Sequence, residues 1–152
     1  MIDRRKFIKS LSSLGISLPL LRAKSFTNTA QNKKMNNPII LCSRGKDWAE
    51  DVLKPGWDIL RKNGSLLDAI EKSANVTELD PRDTSVGYGG LPNEDGVVQL
   101  DASIMYGPNH NCGSVAALEG IKTPSSVARL VMERTDHIHL VAEGAQNFAR
   151  MH

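Results

Sequence analysis

Asp80-Pro81-Arg82-Asp83-Thr84-Ser85-Val86-Gly87-Tyr88-Gly89-Gly90-Leu91-Pro92-Asn93-Glu94-Asp95-Gly96-Val97-Val98-Gln99-Leu100-Asp101-Ala102-Ser103-Ile104-Met105 is the stretch around which the chain is organised. It begins as a polar turn and passes into a loop with Gly87, Gly89 and Gly90. Glycines this close together mark backbone that a Cβ would forbid, or a close approach by another group. Asn93-Glu94-Asp95-Gly96 lies between two apolar runs and predicts a hairpin connection, because Asp-Gly supplies positive φ angles. Val98, Leu100, Ala102 and Ile104 then fall on one face of a strand. A loop of this kind, leaning on a rigid sheet, is a usual place for binding groups.

The chain has 152 residues, enough for one domain and short for two. Hydrophobic residues make up 40% and charged residues 24%, the balance of an ordinary globular protein. The formal net charge is +2, and much of the basic excess precedes residue 35. The remainder carries no basic field, which argues against a nucleic-acid partner.

Residues 1–30 read as a targeting segment. Asp3-Arg4-Arg5-Lys6-Phe7-Ile8-Lys9 is a paired-arginine start, and an apolar run softened by serines follows from Leu11 to Leu21. That layout predicts a secretory signal of the twin-arginine type, with a periplasmic or secreted bacterial location. The run is too short for stable membrane insertion. Residues 31–37 are polar and predict a disordered linker, leaving 38–152 as the folded part. Cys42 and Cys112 are two cysteines, too few for a disulfide framework. Neither has the spaced partners of a zinc site. Cys42 reads as a buried free thiol.

Pro38-Ile39-Ile40-Leu41-Cys42 is uniformly apolar and predicts a central strand covered on both faces. A helical turn at Trp48–Val52 is either halted by Pro55 or followed by a new helix that begins there. Asn63-Gly64 closes that helix. Ser65 and Asp68 resemble a capping box before a helix whose apolar stripe is Leu66, Leu67, Ile70 and Ala74. Asp68, Glu71 and Lys72 read as solvated positions on it. Tyr106 to Asn111 is a turn cluster, and Cys112 to Leu118 a second antiparallel strand. Thr123-Pro124 opens a helix with Val127, Leu130 and Val131 inward and Arg129, Glu133 and Arg134 outward. Ile138 to Val141 is a strand, and a helix follows from Ala145. This order predicts an α+β fold with helices on both faces of a largely antiparallel sheet. The last helix stops at His152 without a closing element, which reads as an interruption.

The residues offer little chemistry by themselves. His137 and His139 share a strand face but lack a third ligand, so no metal is implied. Asp80, Asp83, Glu94 and Asp95 are explained by turn chemistry. Asp101 interrupts an apolar strand and is either solvated or held by nearby donors. The glycine loop is not a phosphate cradle, since no Lys-Ser/Thr follows and no helix opens after it.

Ser85-Val86-Gly87-Tyr88-Gly89-Gly90-Leu91-Pro92, Asp95-Gly96 and Leu100-Asp101-Ala102-Ser103-Ile104-Met105 closely resemble blocks of the glycosylasparaginase family. So do Leu67-Asp68-Ala69-Ile70-Glu71-Lys72, Gly113-Ser114-Val115-Ala116, Ile121-Lys122, Val127-Ala128-Arg129 and Val131-Met132-Glu133. The resemblance runs from Pro38 to the end. It implies an N-terminal nucleophile hydrolase, here a partial αββα sandwich. In that family a precursor cuts itself before a threonine in a His-Asp-Thr-x-Gly context. The freed threonine is nucleophile and, through its α-amino group, general base. It attacks the side-chain amide of a glycosyl-asparagine or related substrate, and water releases aspartate. No cofactor is implied.

The chain departs from the family in one decisive way: it contains no His-Asp-Thr-x-Gly. Asp83-Thr84 is followed by Ser85-Val86 and aligns with another family segment, so it is not the cleavage point. The resemblance therefore places the nucleophile beyond His152, supplies no catalytic residue here, and makes this chain inactive alone. Ser85 matches a serine that supports the nucleophile, and Gly87 belongs to the same supporting loop. A family Ser-Thr-Trp, whose tryptophan lines the substrate site, is replaced by Cys42-Ser43-Arg44-Gly45. Arg44 is its nearest counterpart and a candidate contact for a substrate carboxylate or sugar oxygen, with Trp48 as the alternative occupant. The expected partners are the small-molecule substrate and the missing C-terminal portion. Alternatives are an isoaspartyl peptidase/asparaginase-type fragment, or a non-catalytic subunit that pairs with itself or with a separately encoded second half.

Overall fold

The computed structural model describes residues 37–152. The leader at 1–30 and the linker at 31–37, apart from Asn37, lie outside the described residues. Helix α1 spans Lys46–Arg61 and α2 spans Leu66–Leu79. Instead of stopping or restarting at Pro55, α1 runs through it. Val52, Gly56 and Leu60 are buried one turn apart, and only an unbroken helix keeps them on one stripe. That stripe packs on α2, and the packing outweighs the roughly 3 kcal/mol an interior proline costs. A Cβ added at Gly56 would meet Ser73 Oγ, the Ala69 carbonyl at 2.6 Å and Ile40 Cδ1 at 2.7 Å. Gly56 is where the two helices come closest.

Asn63 takes φ 57°. Its N–H donates to Leu60 O at 3.0 Å, and the Gly64 N–H donates to Ile59 O at 2.9 Å. These are the paired bonds of a Schellman closure. Ser65 Oγ accepts the Asp68 N–H at 3.4 Å and caps α2. The buried residues of α2 are Leu67, Ala69, Ser73, Thr77 and Glu78. Ile70, expected on the apolar stripe, is 49% exposed and lines an open cleft with Ile40, Val52 and Leu53.

Strand β1 (Gln99–Tyr106) pairs antiparallel with β2 (Asn111–Glu119). Helix α3 (Pro124–Arg134) then crosses back to β3 (His139–Val141), which pairs parallel with β2. The sheet has the order β1-β2-β3 and is mixed, not largely antiparallel. A strand that returns through a crossover helix runs parallel to its predecessor. Helix α4 (Ala142–Met151) follows at once, three residues earlier than the sequence suggests, because Ala142 makes the turn at φ 48°.

The core lies between the sheet and α3 and α4: Ile104, Val115, Leu118, Val127, Val131 and Phe148 form its centre, with Leu67 of α2. Gln99, Asp101, Ser103 and Met105 alternate outward on β1 and are exposed. Among the described residues the helices therefore cover one sheet face, and both faces were expected to be covered. The uncovered face of β1 is polar except for Met105. The Asn93–Gly96 turn forms, with Gly96 at φ 76° and Asn93 N–H donating to Val97 O at 2.9 Å. Among the described residues no strand precedes it, so the hairpin is instead β1–β2, joined through Gly107–His110.

Pro38–Cys42 is extended but not assigned to a strand. Ile40 packs near Gly56, while Ile39 and Leu41 are 80% and 86% exposed. The central, doubly covered strand is thus corrected to a one-sided extended segment, since no described strand lies beside it to complete a ladder.

Two polar clusters tie the helices together. Arg129 of α3 was expected outward and Asp68 and Glu71 solvated. Instead Arg129 Nη1 lies 2.6 Å from Asp68 and 2.7 Å from Glu71, and its Nε 2.8 Å from Glu133. Burial opposes its charge, but Glu133, Asp68 and Glu71 together hold its pKa above the usual arginine value. The engagement of Asp68 there explains why it does not complete the capping box. Glu78 is 5% exposed and accepts from Ser125 N–H at 2.9 Å, Ser125 Oγ at 2.8 Å and Asn75 Nδ2 at 2.9 Å. Glu78, and not the Thr123 side chain, therefore caps α3, placing a carboxylate where the helix dipole favours it.

Candidate functional site

The site is built from the loop that follows α2. Asp80 ends the helix and accepts the Arg82 N–H at 2.8 Å, the local turn that aspartate favours. The Arg82 guanidinium grips the same carboxylate at 2.7 and 3.0 Å and lies over the Trp48 ring, 5.7 Å from its centroid. These Arg82 contacts hold the Asp80 carboxyl at about 2, below its ordinary value. Trp48 is thus engaged by Arg82 at the base of the loop.

Asp83 comes next and is buried, 5% exposed. Its Oδ1 accepts the Ser85 N–H at 2.9 Å and the Ser85 hydroxyl at 2.6 Å. Its Oδ2 lies 2.9 Å from Arg44 Nη2. The same Arg44 nitrogen donates to Ser85 Oγ at 2.8 Å. Arg44, Asp83 and Ser85 therefore form a closed triangle. Burial alone would raise the Asp83 pKa, but hydrogen bonds from Ser85, the Arg44 charge and the Val86 N–H hold it below the usual carboxylate range.

Gly87 opens a short 3₁₀ turn, Gly87–Gly89, at φ 61°. A Cβ there would strike the backbone of Glu78, so the close approach read from the glycines is, at Gly87, the last turn of α2. The Leu91 N–H closes the loop on Thr84 O at 3.2 Å. Two clefts open beside it. One, of about 320 Å³, is lined by Ser85, Gly87, Glu78, Gln99 and Asp101 among others. The other, of about 350 Å³, is lined by Arg44, Cys42, Ile40, Ser73 and Thr77 among others.

The structure therefore brings Arg44 to Ser85, 41 residues away, while Gly87 of the same loop is buried. Asp101 is exposed yet accepts the Ala117 N–H at 2.8 Å. It closes a bulge at which Ala117 takes φ 49°. His139 Nδ1 pairs with Ser114 Oγ at 2.7 Å. Among the described residues no three His, Cys, Asp or Glu side chains gather as metal ligands, and no helix is long and apolar enough to cross a membrane. Cys42 and Cys112 are free thiols.

Sequence reasoning missed Asp83 and Glu78. The Asp-x-Ser spacing of Asp83 and Ser85 carried a signal for the local turn. Nothing local marked Asp83 as buried against Arg44, or Glu78 as the cap of a helix 47 residues onward.

Residues 29–152 match the family described as Asparaginase. The chain is 46% identical over 149 residues to an N(4)-(β-N-acetylglucosaminyl)-L-asparaginase of Elizabethkingia miricola, covering 97% of this chain and 43% of that protein. It is 50% identical over 96 residues to a plant-type L-asparaginase of Pyrococcus horikoshii, covering 63% of this chain and 31% of that protein. An isoaspartyl peptidase/L-asparaginase of Rattus norvegicus is 44% identical over 94 residues, covering 62% of this chain and 28% of that protein. The chain thus spans less than half the length of each of these relatives.

Proposed function

From the premise that the chain belongs to the Asparaginase family, as an N-terminal portion of the glycosylasparaginase type, we propose that it supplies one half of an amide-hydrolase site. The reaction is cleavage of a side-chain amide of asparagine, with glycosyl-asparagine as substrate and aspartate as product. A threonine that begins a segment outside these 152 residues is the nucleophile, and its α-amino group takes the hydroxyl proton. The observation that carries this reading is the Ser85 hydroxyl. It is exposed on the loop and oriented by Asp83 and Arg44, ready to hydrogen-bond an incoming amine or hydroxyl. Gly87 lets that loop seat against α2.

Residues 1–30 belong to the same proposal as an export leader of the twin-arginine type, which puts the enzyme in the periplasm or outside the cell. The test of function is aspartate release from N4-(β-N-acetylglucosaminyl)-L-asparagine, L-asparagine and β-aspartyl dipeptides. It is run on the 152-residue chain with and without a threonine-initiated segment carrying the rest of the family fold. The chain alone gives no aspartate and the pair does; turnover by the chain alone, or none by the pair, sinks the proposal.

A second reading, an asparaginase or isoaspartyl peptidase, is favoured by one observation. Arg44 stands where the glycosyl-specific pattern has a tryptophan, so a flat apolar platform for a sugar is missing at that place. The same assay separates the two by which substrate is turned over fastest.

A further inference from the structure

We infer that Arg44 is a positioning residue that clamps the Ser85 hydroxyl together with Asp83, and that it does not contact substrate. The inference rests on the reading of Ser85 as the neighbour of the nucleophile, and its argument is geometric. A serine hydroxyl has one proton and two lone pairs. Ser85 gives its proton to Asp83 Oδ1 at 2.6 Å. Arg44 Nη2 donates into one lone pair at 2.8 Å. One lone pair remains, so towards an arriving group Ser85 presents only an acceptor. It recognises an amine N–H or a hydroxyl O–H and offers nothing to an anionic oxygen.

The Nη2 of Arg44 is likewise committed. The nitrogen that reaches Ser85 also lies 2.9 Å from Asp83 Oδ2, and the Asp83 side chain is 4% exposed. Swinging the guanidinium to a substrate carboxylate would leave a buried carboxylate without its cation, a costly state. The clamp also joins two separate segments, one before α1 and one after α2, so the acceptor position of Ser85 is set by tertiary contact. Both contacts come from a single nitrogen. A lysine ammonium, a compact point charge, can therefore stand in for it, whereas a neutral amide brings no charge to Asp83.

The test compares Arg44→Gln and Arg44→Lys in the assembled enzyme and in the chain itself. In the enzyme, Arg44→Gln lowers kcat about tenfold with KM held within about twofold, the pattern of a lost transition-state arrangement, and Arg44→Lys recovers most of the rate. A rise in KM at unchanged kcat for Arg44→Gln, or a lysine variant as slow as the glutamine variant, overturns the inference. If the wild-type assembly hydrolyses none of the amides, the functional reading has failed, and the clamp is still decided on the chain alone. There, carbon-13 NMR follows the Asp83 carboxyl: it titrates closer to the ordinary range in Arg44→Gln and stays low in Arg44→Lys. An unchanged Asp83 titration in Arg44→Gln overturns the clamp independently of any activity.

Discussion

Replacing Glu78 by alanine should unfasten the start of α3. Glu78 is buried and accepts from the Ser125 N–H, the Ser125 hydroxyl and the Asn75 amide. Truncation strands the Ser125 N–H away from water, which costs about 1–3 kcal/mol. It also removes a carboxylate from a helix N-terminus, about 0.3–1 kcal/mol. Asn75 adds no comparable penalty, because its Nδ2 still reaches Ser125 Oγ at 3.2 Å and Ser126 Oγ at 3.3 Å. The expected loss is about 1–4 kcal/mol, a sizeable part of the roughly 5–15 kcal/mol typical of a domain. Glu78→Gln keeps the shape and one acceptor oxygen, so it should lose only about 1 kcal/mol. The assay is amide hydrogen exchange at Ser125 and Ser126, read beside thermal melting of the full chain. Exchange at these amides should accelerate at least tenfold in Glu78→Ala and only slightly in Glu78→Gln. The alanine variant exchanging and melting like wild type, or the glutamine variant being just as damaging, would refute the capping role.

Three further outcomes follow from the same contacts. Asp80 and Asp83 both have lowered pKa values, Asp80 through Arg82, and Asp83 through Ser85, Arg44 and Val86 against the opposing effect of burial. Their stabilisation is therefore fully present above the unfolded carboxylate value of about 3.9 and is lost as pH falls through the folded values. Melting temperatures measured from pH 6 down to pH 2 should decline, and Asp83→Asn should flatten its share of that decline while lowering stability at pH 7; an unaltered acid limb in the variant contradicts the assignment. Gly56→Ala gains about 1 kcal/mol of helix propensity but meets the rigid Ala69 carbonyl, so a net loss of about 1–2 kcal/mol is expected in urea unfolding, and a more stable variant would disprove the tight α1–α2 contact. Ser73 Oγ is buried with no hydrogen-bond partner among the described residues, so Ser73→Ala should be neutral or stabilising by up to about 1 kcal/mol, and a marked loss would reveal a partner for that hydroxyl.

Local chemistry was legible wherever neighbouring residues decide the conformation. Asn63-Gly64 closes α1, Ser65 caps α2, Pro124 begins α3, and Leu100, Ala102 and Ile104 turn one way along β1. Pro55 shows the limit. Its local penalty argues for a break, yet Val52, Gly56 and Leu60 pack as one stripe only if the helix continues. The candidate site is half legible: Ser85 and Gly87 stand in a family block, and Arg44 stands where a family motif is replaced. Asp83, the group that joins Arg44 to Ser85, reads locally as a turn residue, because its burial comes from packing between distant segments.

The sequence by itself determined the family, the order of helices and strands from α2 onward and the loop that bears Ser85, since each is written in short-range patterns or in ordered motif blocks. Only the tertiary structure decided that β3 lies parallel to β2, that Glu78 caps α3 and that Arg44, Asp83 and Ser85 close a triangle. Those features depend on which groups meet across tens of residues. Burial then makes each unpaired donor, acceptor or charge costly, and that cost is what turns a meeting into a fixed geometry.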